Sequence, residues 1–183
     1  MFIIYYDFKM KKIVLVLMAV STLASMNSCK NATKDSCSGF LMDTSPRYVD
    51  LGLPSGTIWK NINEDVFYIY NDAVKKFGDS LPTIDQWEEL ENIGCWIRTE
   101  CGYKVVGPSG DSIFLPSKGY IPCGTDYVKD TTNLDLYYWS SNIESAKDAF
   151  AFWTNHGYYK KTTCKPMARC DKLSVRLVSN SDE

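Results

Sequence analysis

The sequence predicts an α+β domain: two short helical segments lie between residues 71 and 93, and strand signals run from residue 103 to 178 with no βαβ alternation. A high aromatic content suits a β-rich interior, and the length suits one domain.

The elements follow in order. Tyr48 to Trp59 reads as a short extended piece, a turn at Pro54-Ser55-Gly56, and a strand beginning at Thr57. Asn71 is placed to cap a helix over Asp72 to Phe77, with Asp72 in the first turn, Lys75 and Lys76 in the last, and Gly78 ending it in a left-handed conformation. The second helix is better marked. Thr83 is its N-cap and Gln86 stands three residues on, the capping-box spacing, with Asp85 near the positive end. Ile84, Trp87, Leu90 and Ile93 share a face, Glu88, Glu89 and Glu91 lie mostly opposite, and Gly94 stops the helix. Tyr103 to Val106 and Ser112 to Leu115 then form a hairpin across Gly107-Pro108-Ser109-Gly110-Asp111, and Pro116 interrupts the ladder. Further strands are expected at Lys118 to Ile121, Tyr137 to Ser140, Ala149 to Trp153, Tyr158 to Thr162 and Leu173 to Val178.

Ahead of the domain, Met10-Lys11-Lys12, the apolar run Ile13 to Leu23, and Ser28-Cys29 have the order of a bacterial lipoprotein export signal. The run is too short to span a bilayer, which takes about 20 apolar residues. Residues 1–28 are therefore read as the signal, with the true start at Met10, because Met1 to Lys9 place Asp7 ahead of the basic region. The box Met26-Asn27-Ser28 departs from the lipoprotein pattern at Asn27, where a small residue is preferred. Cys29 is the expected lipidation site, residues 29–46 the lipidated cysteine and its polar tether, 47–179 the domain, and 180–183 a tail. The expected location is the outer membrane or cell surface through the lipid anchor; the alternative, ordinary cleavage, gives a periplasmic or secreted protein.

With Cys29 set aside, Cys37, Cys95, Cys101, Cys123, Cys164 and Cys170 are an even set in an exported chain, which favours disulfides over metal. The spacings make Cys95–Cys101 and Cys164–Cys170 attractive local loops and leave Cys37 to Cys123, although six cysteines allow 15 connectivities. Free buried thiols are the next reading. Zinc is disfavoured: both short spacings are Cys-x5-Cys, and His156 is the one histidine.

Twenty basic against 22 acidic residues, with no long run of like charge, leave no footprint for nucleic acid. A serine triad or cysteine dyad needs a histidine with an orienting acid, and His156 sits in a turn-like stretch. The glycines of 107–110 open a strand, whereas a phosphate-cradling loop opens a helix. No catalytic residue, metal or cofactor is expected.

Five segments carry a family resemblance: Tyr48 to Trp59, Leu81-Pro82-Thr83 to Leu90, Gly107-Pro108-Ser109-Gly110 to Ile113-Phe114-Leu115-Pro116, Tyr138-Trp139-Ser140-Ser141, and Ser174-Val175-Arg176-Leu177-Val178. Together they resemble the Fibrobacter succinogenes major paralogous domain, a family of exported proteins and lipoproteins common in Bacteroidetes. The last segment differs from the family's frequent Arg-Pro-Val ending. The resemblance implies a fold similar to C-type lectins and to the formylglycine-generating enzyme, and no established activity. Each motif also has a structural reading: helix entry at Leu81-Pro82-Thr83, core anchors at Trp59 and Trp87, and Arg176 pairing with an acid or capping carbonyls.

The oxidase relatives use paired reactive cysteines in a copper site, and no matching motif occurs here. Calcium-dependent lectins carry Glu-Pro-Asn or Gln-Pro-Asp and then Trp-Asn-Asp; the first two are missing, and Trp153-Thr154-Asn155 lacks the acid of the third. What remains is the aromatic stretch Tyr137 to Tyr159. Alternation turns Phe150 and Phe152 one way and leaves Trp153 exposed at a strand end, so Trp153, Asn155, His156, Tyr158 and Tyr159 are the candidate ligand-binding residues. The expectation is a membrane-anchored, non-catalytic, lectin-like domain that binds a glycan or protein. The rivals are an enzyme related to the formylglycine-generating group and an adhesin or surface-assembly subunit with a diversified ligand face.

Overall fold

The computed structural model describes residues 45–131, 134–154 and 163–180. The chain opens with β1 (Tyr48–Asp50), β2 (Thr57–Lys60) and β3 (Tyr68–Ile69), then α1 (Tyr70–Phe77), a 3-10 turn (Gly78–Ser80) and α2 (Ile84–Ile93). It continues with β4 (Cys95–Arg98), β5 (Gly102–Val106), β6 (Ser112–Pro116), β7 (Tyr137–Ile143) and β8 (Asp148–Trp153). It ends with β9 (Thr163–Ala168), β10 (Lys172–Leu173) and β11 (Val178–Asn180). The fold is α+β: the two helices are early and short, and the strands pair antiparallel in small sheets ordered β1-β2-β11, β10-β3, β4-β5-β6 and β7-β8-β9. No helix among the described residues is long and apolar enough to cross a membrane.

The local signals account for the second helix. Thr83 Oγ1 accepts the Gln86 N–H at 3.2 Å and the Gln86 side chain accepts the Thr83 N–H at 2.9 Å, so two orphan donors of the first turn are satisfied reciprocally. Asn142, from β7, accepts a further one, the Ile84 N–H. Trp87 and Leu90 are buried while Ile93, on the same stripe, is exposed at the frayed end. Glu89 is not a purely solvated acid: its carboxylate takes both the N–H and the hydroxyl of Ser55, pinning the β1–β2 turn to the helix.

β7, β8 and β9 divide two apolar cores. Alternation sends Tyr138 and Phe152 into the first, with Leu51, Trp59, Trp87 and Leu90, and sends Trp139, Ala149 and Ala151 into the second, with Tyr70, Leu81 and Val175. A sheet buried on both faces needs apolar residues at consecutive positions, which is why this stretch reads as continuous aromatic and aliphatic sequence. The 107–111 turn packs directly on the backbone of Leu51: Ser109 donates to the Leu51 carbonyl, and a Cβ at Gly107 would stand 2.1 Å from that same oxygen. Glycine is required there by proximity.

Several expectations are corrected. α1 starts at Tyr70 with Ile69 as N-cap and no side-chain cap, because the Asn71 side chain instead accepts from Arg169. Gly78 has a positive φ of 52°, but its ψ of −125° is not that of the left-handed helical conformation expected. β4, unmarked by turn chemistry, forms because β5 supplies a partner in register from Cys95↔Val106 to Arg98↔Tyr103. Lys118 to Ile121 makes isolated bridges, Tyr120 to Lys129 and Ile121 to Lys172, instead of a strand. Leu173 to Val178 is broken between β10 and β11, since Arg176 within it is held by its side chain. The strand expected at Tyr158 to Thr162 lies outside the described residues.

The cysteine pairing also differs. Cys123 is bonded to Cys170, 47 residues on with Cα atoms 5.1 Å apart, and Cys164 is a free thiol, so neither Cys164–Cys170 nor Cys37–Cys123 forms. Cys95 and Cys101 are both disulfide-bonded. Closing a loop of this length, Cys123–Cys170 contributes about 2–4 kcal/mol. Cys29 and Cys37 lie outside the described residues.

Candidate functional site

Cross-strand register builds the site from three neighbouring strands. Tyr137 on β7 stands opposite Trp153 on β8, and Lys165 on β9 is two residues on from the backbone position opposite Trp153, so the side chains of Tyr137, Trp153 and Lys165 share one face of the sheet. The Lys165 ammonium sits 3.7 Å from the centre of the Trp153 ring and 5.5 Å from that of Tyr137. Contacts of this kind contribute about 0.5–2 kcal/mol, more as water is excluded.

The long connection from β6 to β7 brings the second half. Tyr120 packs on Tyr137 at a tilt of 40° with ring centres 4.7 Å apart, and Lys129 lies 6.0 Å over Tyr120. Tyr120 and Lys129 exchange main-chain hydrogen bonds, and Gly119, at φ +69°, is needed because a Cβ there would meet the Lys129 carbonyl at 2.0 Å. Ile121 exchanges two more with Lys172, while the Cys123 N–H donates to Asp171 and its sulfur is bonded to Cys170. The loop is thus clasped to the β9–β10 turn.

Asp130 and Leu134 have φ values of 59° and 57°. Aspartate tolerates this left-handed region, but a branched leucine does so at a cost of order 1–3 kcal/mol that its surroundings must offset. Asp130 accepts the Tyr137 hydroxyl at 2.8 Å. Burial, reinforced by this bond, raises the Tyr137 pKa and holds the phenol protonated. The Trp153 indole N–H is covered and makes no hydrogen bond among the described residues; it comes near the Tyr137 hydroxyl without good geometry. Burial lowers the proton affinity of Lys165, with Asp135 and Asp130 acting in the opposite sense.

Of the candidate residues, the structure places Trp153 in this cluster, half-buried against the second core and not exposed as alternation suggested. The reason is that both faces of β8 are covered. Asn155, His156, Tyr158 and Tyr159 lie outside the described residues. Tyr120, Lys129, Asp130 and Lys165 were not anticipated, and no local pattern marks them. Only the pairing of β7, β8 and β9 and the return of the long loop bring them together.

The cysteines show no reactive pair among the described residues. Cys123, Cys170, Cys95 and Cys101 are oxidised, and burial, helped by Glu88, Glu91 and Asp85, pushes the Cys164 thiol up to about 12, so it is neutral at physiological pH. No group of three His, Cys, Asp or Glu side chains among the described residues could hold a metal ion. Comparison with protein-family models, with curated proteins and with solved structures finds no match to this chain.

Proposed function

We propose that this protein is an exported lipoprotein, anchored through Cys29, whose lectin-like domain binds a glycan and performs no catalysis. The observation that carries the reading is the pair of partly exposed rings Tyr120 and Trp153, packed against the buried Tyr137, with an ammonium group beside each and left-handed backbone at Asp130 and Leu134. Flat aromatic rings beside polar groups suit sugar faces, and strained backbone concentrates at ligand sites. The reading also draws on the sequence resemblance to the Fibrobacter succinogenes major paralogous domain, which implies a C-type-lectin-like fold; the α+β class with two early helices is what supports it here. Oxidised cysteines and a neutral Cys164 favour binding over oxidase chemistry.

The test is a glycan array run with the mature protein and with Trp153→Ala. Trp153 is half-buried, so folding of the variant is first checked by circular dichroism. The expected result is a hit whose affinity falls about tenfold or more in a folded variant, the scale of a lost aromatic contact. Hits that survive the substitution unchanged remove this site. The anchor has its own test: N-terminal mass spectrometry of protein from the native host is expected to find a diacylglyceryl-modified Cys29. An unmodified N-terminus elsewhere overturns it.

A further inference from the structure

We infer that Phe40-Leu41-Met42, in the segment ahead of the described residues, docks on the outer face of the β4-β5-β6 sheet and completes the domain; the inference stands apart from the glycan reading. Register fixes the two faces of that sheet. Trp96, Tyr103, Val105, Ile113 and Leu115 pack in or against the first core, so Cys95, Ile97, Lys104, Val106, Ser112 and Phe114 point the other way. None of those six is exposed, and Phe114, on the edge strand β6, is only 7% accessible. Phe114 nevertheless belongs to neither apolar core. An antiparallel sheet that gives one face to water carries polar, exposed residues there, whereas Ile97, Val106 and Phe114 are the residues of a covered face.

The place where the described chain begins names the occupant. The Asn61 side chain donates to the Ser45 carbonyl and accepts the Arg47 N–H, each at 3.0 Å. Asn61 follows Lys60, whose carbonyl shares the Arg176 guanidinium with the carbonyl of Phe114. One run of neighbours therefore leads from Ser45 to Phe114. Phe40 stands five residues before Ser45, a reach of up to about 17 Å for extended chain. Phe40-Leu41-Met42 is the one apolar run within residues 30–44, and Asp43 beside it matches Lys104 in charge. An apolar triplet on a polar tether and an apolar sheet face within its reach both leave water by meeting. With Cys29 anchored, docking at residue 40 shortens the free tether to residues 30–39, whose flexible span is about 16–19 Å.

The experiment places the photoreactive side chain benzoylphenylalanine at position 40, and in a second protein at position 41, of the mature chain, with position 31 in the polar part of the tether as control. Circular dichroism first shows that each protein is folded. Irradiation is expected to link residue 40 or 41 to a peptide within residues 95–116 of the same chain, and the control to give no such link. A link to that peptide in a second chain means that another copy covers the face, and overturns the inference. Links elsewhere, or none from either position, overturn it as well. Hydrogen exchange gives an independent readout: Phe40→Ser combined with Leu41→Ser is expected to speed amide exchange in β4, β5 and β6 about tenfold or more while leaving that of β7 and β8 unchanged. Exchange in β4, β5 and β6 that matches the parent overturns the inference, and so does a uniform rise across the domain.

Discussion

Arg176→Ala is expected to destabilise the domain by about 3–5 kcal/mol, lowering its melting temperature by ~10 °C or more. The side chain is fully buried between β10 and β11 and makes three charge-assisted hydrogen bonds: Nε to Asn63 Oδ1 at 2.8 Å, and the two terminal nitrogens to the Lys60 carbonyl at 2.7 Å and the Phe114 carbonyl at 2.5 Å. Lys60 ends β2 and Phe114 lies on β6, the edge of another sheet, so one guanidinium joins two sheets that share no ladder. Asn63 also donates to the Tyr138 hydroxyl, which donates in turn to the Pro116 carbonyl. Burial pulls the Arg176 pKa down to about 10, still far above neutral pH, so the group is charged where it sits. Truncation leaves two buried carbonyls and an amide oxygen without donors, besides a cavity. Urea unfolding of Arg176→Ala and Arg176→Lys separates the planar fork from the charge. Lysine, a point donor, is expected to recover only part of the loss. A melting temperature within a few degrees of the parent for the alanine variant would show that the clamp is not needed.

Trp87→Ala is expected to cost a similar ~3–5 kcal/mol by a different route, lost packing in the first core. Its ring stacks on Phe152 at 4.4 Å and 9°, and lies against Trp59 at 4.7 Å and Tyr138 at 5.5 Å. These partners come from β8, β2 and β7, so the one side chain binds α2 to two sheets. Trp87→Phe keeps a ring for Phe152 and is expected to lose less than half as much, while both variants lose near-UV circular dichroism from the aromatic cluster. Unchanged stability in Trp87→Ala would mean that the helix is held by Leu90 and by the Ser55–Glu89 link instead.

The two residues differ in how much the sequence says about them. Trp87 follows a capping box on an apolar stripe, so its burial follows from helical periodicity. Arg176 in an apolar strand-like run announces a buried charge with a structural duty, and the reading that it caps carbonyls agrees with what it does. Which carbonyls these are is invisible locally, because Lys60 and Phe114 are 116 and 62 residues away. The same division runs through the chain. The Thr83–Gln86 box, the 107–111 hairpin turn and the positive φ at Gly78 are written in neighbouring residues, where the spacing of donor and acceptor decides the outcome within one turn. β4 has no such mark, and exists through β5.

The candidate site belongs wholly to the second kind. The sequence marks Trp153 as an aromatic at a strand end, but its partners are set by the Tyr137↔Trp153 pairing, the placement of β9, and a loop clasped by Cys123–Cys170. The sequence by itself determined the α+β class, the second helix with its cap, the central hairpin and the main core tryptophans, because short-range hydrogen bonds and side-chain periodicity act within a few residues. Cysteine pairing, the split of the last strand around Arg176, and the meeting of two lysines with three rings were decided only by tertiary structure, since register and loop closure join residues that no local pattern relates.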